Sequence, residues 1–196
     1  MKRVLNVGGN DRSIPLPPEY AGWEQVLLDI DPTGKPDLVC DARELQTLPA
    51  ASYDSVYCSH NLEHYRRHEV PRVLAGFVHV LRPDGFAMVR VPDVGELMRI
   101  VARHDLDVDD VLYESPAGPI TVHDVLYGYG AEIEQSGNDW FAHKSGFTTR
   151  SLGKALHAAG FEHAFSQAGN LAISAIAFVR EPSRAMQRSL GLAPPE

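Results

Sequence analysis

The sequence predicts an α/β fold on a mostly parallel sheet, and three observations carry that prediction. Five short apolar runs in the first half are nearly continuous rather than alternating, as strands buried on both faces must be. Each run stops at a glycine or a polar residue. Helical periodicity separates the last two runs, and a second helical pattern leads into two closing strands.

The elements follow in order. The first run, 4–7, stops at Gly8-Gly9, and the second, 25–30, stops at Asp31-Pro32. The third, 37–40, ends at Asp41; the fourth, 55–58, ends at Ser59-His60; the fifth, 86–91, ends at Pro92-Asp93. Val70, Val73, Leu74, Phe77, Val78 and Leu81 share one face of a helix that Pro71 opens and Pro83-Asp84-Gly85 stops. Leu152, Ala155, Leu156 and Ala159 give a helix over 149–159 its apolar stripe, with a threonine cap at its start and Gly160 at its end. Strands near 162–166 and 171–179 complete the set of seven. Residues 94–143 break the alternation with a short helix (95–103), an acidic run (Asp105, Asp107, Asp109, Asp110) and Gly/Pro-rich loops. They read as a cap inserted after the fifth strand. Residues 181–196, with Pro182, Pro194 and Pro195, read as a frayed tail.

Composition narrows the function classes. A chain of 196 residues, 44% hydrophobic and 22% charged, fits one folded domain spanning 1–196. The formal net charge of -8 argues against nucleic acid as a partner, because neutralising phosphates needs a basic face. No run approaches the roughly 20 apolar residues of a membrane span, and nothing at the start resembles a signal peptide. Cys40 and Cys58 sit in apolar runs and read as buried thiols of a cytoplasmic protein.

In open α/β sheets ligands bind beyond the carboxyl ends of the strands, which directs attention to the residues that stop each run. Gly8 and Gly9 allow backbone N–H groups to approach a ligand. Asp29, 21 residues beyond Gly8, can accept both hydroxyl protons of a ribose. Asp41, Ser59 and His60 end the next two strands. A nicotinamide dinucleotide fits poorly. Its G-x-G-x-x-G pattern meets Gly8, Asn10 and Ser13, and Ile14-Pro15-Leu16-Pro17-Pro18 forbids a long helix behind the loop.

With those residues in place, the chain resembles the class I S-adenosylmethionine-dependent methyltransferases, in particular small bacterial type-11-like members. Leu5-Asn6-Val7-Gly8-Gly9-Asn10 looks like their first motif, and Leu28-Asp29-Ile30-Asp31 like the strand end whose acid holds the ribose. Cys40-Asp41-Ala42-Arg43 is similar to the end whose acid meets the adenine amino group. Tyr53-Asp54-Ser55-Val56, the stretch Ser59 to His64, Leu81-Arg82-Pro83-Asp84-Gly85 and Ala159-Gly160-Phe161 are further landmarks. Asn6 stands where the family usually has an acid, Asn10 where it has a second glycine, and the proline segment replaces the first helix. The resemblance implies a Rossmann-like seven-stranded sheet with helices on both faces. It implies S-adenosylmethionine as cofactor, with Asn6, Gly8, Gly9, Asp29, Ile30, Asp41, Ala42 and Ser59 holding it. It also implies that the strands bearing Cys40 and Cys58 are separated by two others, so the thiols stay unpaired.

On the acceptor side, His143 is the expected base, because it lies where the cap returns to the core; His60 and His64 follow, with Glu63 available to orient an imidazole. The amino-directed DNA methylation motif is missing, since Ser59-His60-Asn61-Leu62 occupies its place, and Tyr57 rather than proline precedes Cys58. A small-molecule or glycan-type acceptor is therefore expected. Two rival classes share these residues. His60-Asn61-Leu62-Glu63-His64 satisfies the H-x-x-E-H pattern of metal hydrolases, and His60, His64 and His68 could share a helix face. No third-ligand motif follows, so no metal site is expected; the acidic run likewise lacks the glycine and the last acid of a calcium loop. The other rival is a non-catalytic partner-binding protein of the same fold. His79, on the first long helix, is expected to be a plain surface residue.

Overall fold

A computed structural model describes residues 1–115 and 118–192. Its strands and helices run β1 (Arg3–Val7), β2 (Glu24–Asp29), β3 (Leu38–Val39), β4 (Tyr53–Ser59), α1 (Val70–Val80), β5 (Leu81–Pro92) and α2 (Val94–His104). There follow β6 (Val111–Ser115), β7 (Gly118–Thr121), α3 (Val122–Tyr127), α4 (Gly130–Ser136), α5 (Thr149–Ala159), β8 (His163–Gly169), β9 (Ala172–Phe178) and α6 (Arg184–Ser189). Seven strands make one sheet in the order β3-β2-β1-β4-β5-β9-β8. All pairs are parallel except those of β9, which runs antiparallel to both neighbours. The strand order reverses between β1 and β4, so a crevice opens there beyond their carboxyl ends.

The apolar runs are continuous because both faces of the sheet are covered. On β1, Leu5 and Val7 enter the larger core while Val4 enters the smaller one. On β5, Ala87, Val89 and Val91 face the first side, and Phe86 faces the second. The first side is closed by α1 and α5: Val73, Leu74, Phe77, Leu152 and Leu156 are all fully buried. The capping predicted for α5 is present, with Thr148 accepting from the Ser151 N–H and Gly160 closing the helix at φ 109°. The second side is covered more thinly. The proline segment makes one short turn at Pro18–Tyr20. Tyr20 then stacks on Phe86, and its hydroxyl meets the Ser55 hydroxyl at 2.9 Å.

Several expectations need correction. The expected frayed tail instead folds back as α6, and Met186, Leu190 and Leu192 pack on the second side of the sheet. Their contact with a ready-made apolar face stabilises a segment too short to show periodicity. Residues 193–196 of that tail lie outside the described residues. His79 is half-buried rather than a plain surface residue, its Nε2 2.9 Å from the Leu48 carbonyl. Helix α1 stops one residue early, because Leu81 already pairs with Tyr53 in the sheet.

Residues 94–143 form α2, the β6–β7 ribbon, α3 and α4, and Leu97, Val122 and Val125 give them a small core of their own. The acidic run is an exposed turn in which Asp107 and Asp110 carboxylates accept backbone N–H groups. Among the described residues, no helix is long and apolar enough to cross a membrane. Cys58 is buried, Cys40 is half-buried, and neither is paired. Strands β2 and β1 separate their positions, as the resemblance implied.

Candidate active site

Six of the eight residues expected to bind the cofactor line two pockets, and Asp29 and Ala42 line neither. Gly8 follows β1 with φ 81°, a left-handed angle that disfavours any side chain. A Cβ there would sit 2.5 Å from the Asn61 side chain, and one on Gly9 would collide with Asn6. Asn6, Gly8, Gly9 and Ser59 line one cleft of about 170 Å³. Ile30 and Asp41 line a separate slot of about 60 Å³ with Asn61, His64 and Tyr65. Asn61 therefore sits between the two, and the sequence reading had not singled it out. Its Oδ1 is buried with no hydrogen-bond partner among the described residues, as an acceptor awaiting a ligand donor would be.

Asp29 ends β2 half-buried, with Oδ1 accepting from the Asp31 N–H at 2.8 Å. Burial raises its carboxyl above the usual range, against the pull of hydrogen bonds from Asp31 and Ile30. Asp41 differs. Burial alone would raise it, but Arg43 donates to both of its oxygens and holds it below the usual range. Arg43 also bridges to Glu69, so the Asp41 carboxylate is already engaged. Ala42 is 1% exposed, its side chain in the core and its backbone facing the Tyr65 hydroxyl. The donor and acceptor types present fit an adenosine-bearing cation: a free acid for the ribose, an orphaned amide oxygen, and a glycine loop that a Cβ would fill. The Asp41 contact alone would compete with Arg43.

A further cavity, of about 610 Å³, lies against residues 94–143 and is lined by His60, Arg90, Val125, His143 and Leu171, among others. His143 reaches it because the chain returning from the cap is stitched to the turn after β4: the N–H groups of Lys144 and Ser145 both donate to the Glu63 carbonyl, at 2.8 and 3.0 Å. His143 Nδ1 lies 3.0 Å from the Val125 carbonyl, and its Nε2 lies 4.0 Å from Glu63 Oε1. Burial pushes its imidazole below the usual range, partly opposed by the Glu63 charge. His60 carries a left-handed φ of 50° and presents a half-exposed ring, Nδ1 3.5 Å from Glu63 Oε1. Glu63 itself is 1% exposed.

The H-x-x-E-H stretch is not helical in the way the hydrolase pattern requires. Only Leu62–His64 form a single tight turn, and His68 is exposed in the turn before α1. His60, His64 and His68 therefore do not share a face. The third member of the cluster is His143, far away in sequence, whose ring stands 5.1 Å from that of His64.

Residues 22–89 match the family model described as "Methyltransferase domain". No curated protein matches the chain. Among solved structures, a SAM dependent methyltransferase from Archaeoglobus fulgidus is 16% identical with a TM-score of 0.55, covering 90% of this chain and 85% of that one. A SAM-dependent methyltransferase from Methanosarcina mazei is 17% identical, TM-score 0.56, covering 89% and 91%. The Burkholderia thailandensis 1,6-didemethyltoxoflavin-N1-methyltransferase, with 1,6-didemethyltoxoflavin and S-adenosylhomocysteine bound, is 20% identical, TM-score 0.52, covering 89% and 69%.

Proposed function

We propose that the chain is a class I S-adenosylmethionine-dependent methyltransferase that methylates a small-molecule or glycan-type acceptor held beneath residues 94–143; its residues 22–89 match a methyltransferase-domain model, and its fold is that of solved methyltransferases. The observation that carries this is one continuous wall. Ser59 lines the glycine-loop cleft, and the next residue, His60, lines the 610 Å³ cavity. A volume of that size suits a small ligand or a sugar unit. The Burkholderia methyltransferase, similar in fold, has 1,6-didemethyltoxoflavin and S-adenosylhomocysteine bound. The net charge of -8 speaks for a partner other than nucleic acid, and the unpaired thiols suit the cytoplasm.

The bound cofactor supplies an electrophilic methyl carbon, so the protein's task is placement. Asp29 would accept the ribose hydroxyls. Gly8 and Gly9 would give backbone room, with Asn6 and Ser59 at the methionine end. Ile30, Asp41 and Ala42 border the adenine end. The acceptor-side group is the trio His60, His143 and His64. His60 is the first to take a proton, because its ring is the most open to the cavity. His143 is more buried, and with its Nδ1 held by the Val125 carbonyl its Nε2 lone pair faces Glu63.

The test is S-adenosylhomocysteine release from S-adenosylmethionine with a cell extract divided by size. Release that depends on the low-molecular-weight or glycan fraction, with a product one methylene heavier, is the expected result. Release only with the protein or nucleic-acid fraction contradicts the acceptor class. His60→Ala should slow turnover by roughly 10²–10⁴-fold while cofactor affinity holds.

A further inference from the structure

We propose that Glu63, His64 and His143 bind one divalent transition-metal ion at the inner wall of the cap cavity. The inference deepens the reading above, and it rests on that reading only for what the ion would touch. Glu63 is the first observation. It is 1% exposed, and neither carboxylate oxygen has a hydrogen-bond partner among the described residues. Its nearest basic atoms, His60 Nδ1 at 3.5 Å and His143 Nε2 at 4.0 Å, stand too far for hydrogen bonds, and a buried carboxylate without hydrogen bonds is strongly disfavoured unless a cation joins it more closely.

The donors also converge. One ligand atom from each of the three side chains lies within 4.8 Å of the others. Bonds of about 2.0–2.2 Å place tetrahedral donors about 3.3–3.5 Å apart, so side-chain rotations that close the cluster by about 1 Å are enough.

The imidazoles are already oriented. With its Nδ1 proton given to the Val125 carbonyl, His143 keeps a lone pair on Nε2, the nitrogen that faces Glu63. A backbone carbonyl behind a ligating histidine is the usual outer support of a metal site. His64 is more telling. Its Nδ1 lies 3.2 Å from the Ala142 carbonyl and its Nε2 3.1 Å from the His60 carbonyl. A neutral imidazole donates from one nitrogen only, so one contact sets lone pair against lone pair. A cation drawing that nitrogen toward Glu63 relieves it. Two imidazoles and one carboxylate suit Zn²⁺, Co²⁺, Fe²⁺ or Ni²⁺ better than Mg²⁺ or Ca²⁺, which take oxygen donors. His143 lines the cavity, so the open coordination positions face the acceptor. An acceptor hydroxyl bound there loses its proton more readily.

The experiment uses the whole chain, stripped by chelator dialysis and titrated with Co²⁺ and Zn²⁺. One saturable Co²⁺ site is expected, with visible d–d absorption of four- or five-coordinate type, lost on adding Zn²⁺. Glu63→Gln and His143→Ala should each weaken Zn²⁺ binding by about tenfold or more. Retained S-adenosylhomocysteine binding in both variants reports that they are folded. Asp29→Ala should weaken S-adenosylhomocysteine and leave the Co²⁺ spectrum unchanged, which separates failure of the metal site from failure of the methyltransferase reading. The proposal is overturned if the wild type shows no saturable Co²⁺ or Zn²⁺ site, as a proton shared within the cluster would give. It is overturned equally if folded Glu63→Gln and His143→Ala bind as tightly as wild type.

Discussion

Asp29 and Asp41 stand at the ends of neighbouring strands, yet their surroundings separate them. Asp29 is pushed up by burial, whereas Arg43 holds Asp41 down. Cofactor affinity should therefore weaken as pH falls through a value above the ordinary aspartate range, since only the ionised Asp29 gives charge-assisted bonds to the ribose. Unliganded stability moves the other way. A carboxyl whose folded pKa is raised binds its proton more readily in the folded state, so protonation of Asp29 adds stability on acidification. Calorimetry and urea unfolding across pH 4–7, wild type against Asp29→Asn, check both signs. The affinity slope should disappear in the variant. Gly8→Ala forces a left-handed angle on a side chain and drives a methyl into Asn61. It should lose cofactor binding, and a measured affinity equal to wild type contradicts the assigned cradle. The strand-end acids were legible in sequence because Asp29 stands near the end of one apolar run and Asp41 stops the next. The engagement of Asp41 by Arg43 was not, since side-chain geometry decides whether a nearby cation pairs with an acid or points to water.

Among the elements, α5 was readable to the residue, because a threonine cap, an apolar stripe and a terminal glycine all agree. Thr148→Ala removes the acceptor for the Ser151 N–H and should lower stability by about 1 kcal/mol; Thr148→Ser should cost much less. Urea denaturation compares the two. The helix α6 was hidden because its stability comes from the second face of the sheet, to which Met186 and Leu190 are brought only by folding. The missing helix after β1 was foreseen from the prolines. What covers that face, Tyr20 and Trp23 against Phe86, depends on pairings remote in sequence. The same distance hid the Glu63, His64 and His143 cluster. His143 joins Glu63 through backbone bonds from Lys144 and Ser145 across 80 residues, and the local H-x-x-E-H pattern suggested His68 instead. The useful signal was the position of His143, where the cap rejoins the core.

For the whole molecule, the order β3-β2-β1-β4-β5-β9-β8 brings the glycine loop, both acids and His60 to the carboxyl ends of neighbouring strands and leaves two strands between the thiols. Titration of the denatured, unreduced protein should find two free thiols; finding none contradicts the order of the strands. The same sheet order makes the central claim, that the crevice holds S-adenosylmethionine with Asp29 on its ribose. The most direct measurement is calorimetric titration of S-adenosylhomocysteine into the wild type and Asp29→Ala. One site per chain is expected in the wild type. The variant should bind more weakly by about 1.5–3 kcal/mol, the scale of a hydrogen bond to a charged group. An absence of wild-type binding, or equal affinity in folded Asp29→Ala, would contradict the claim.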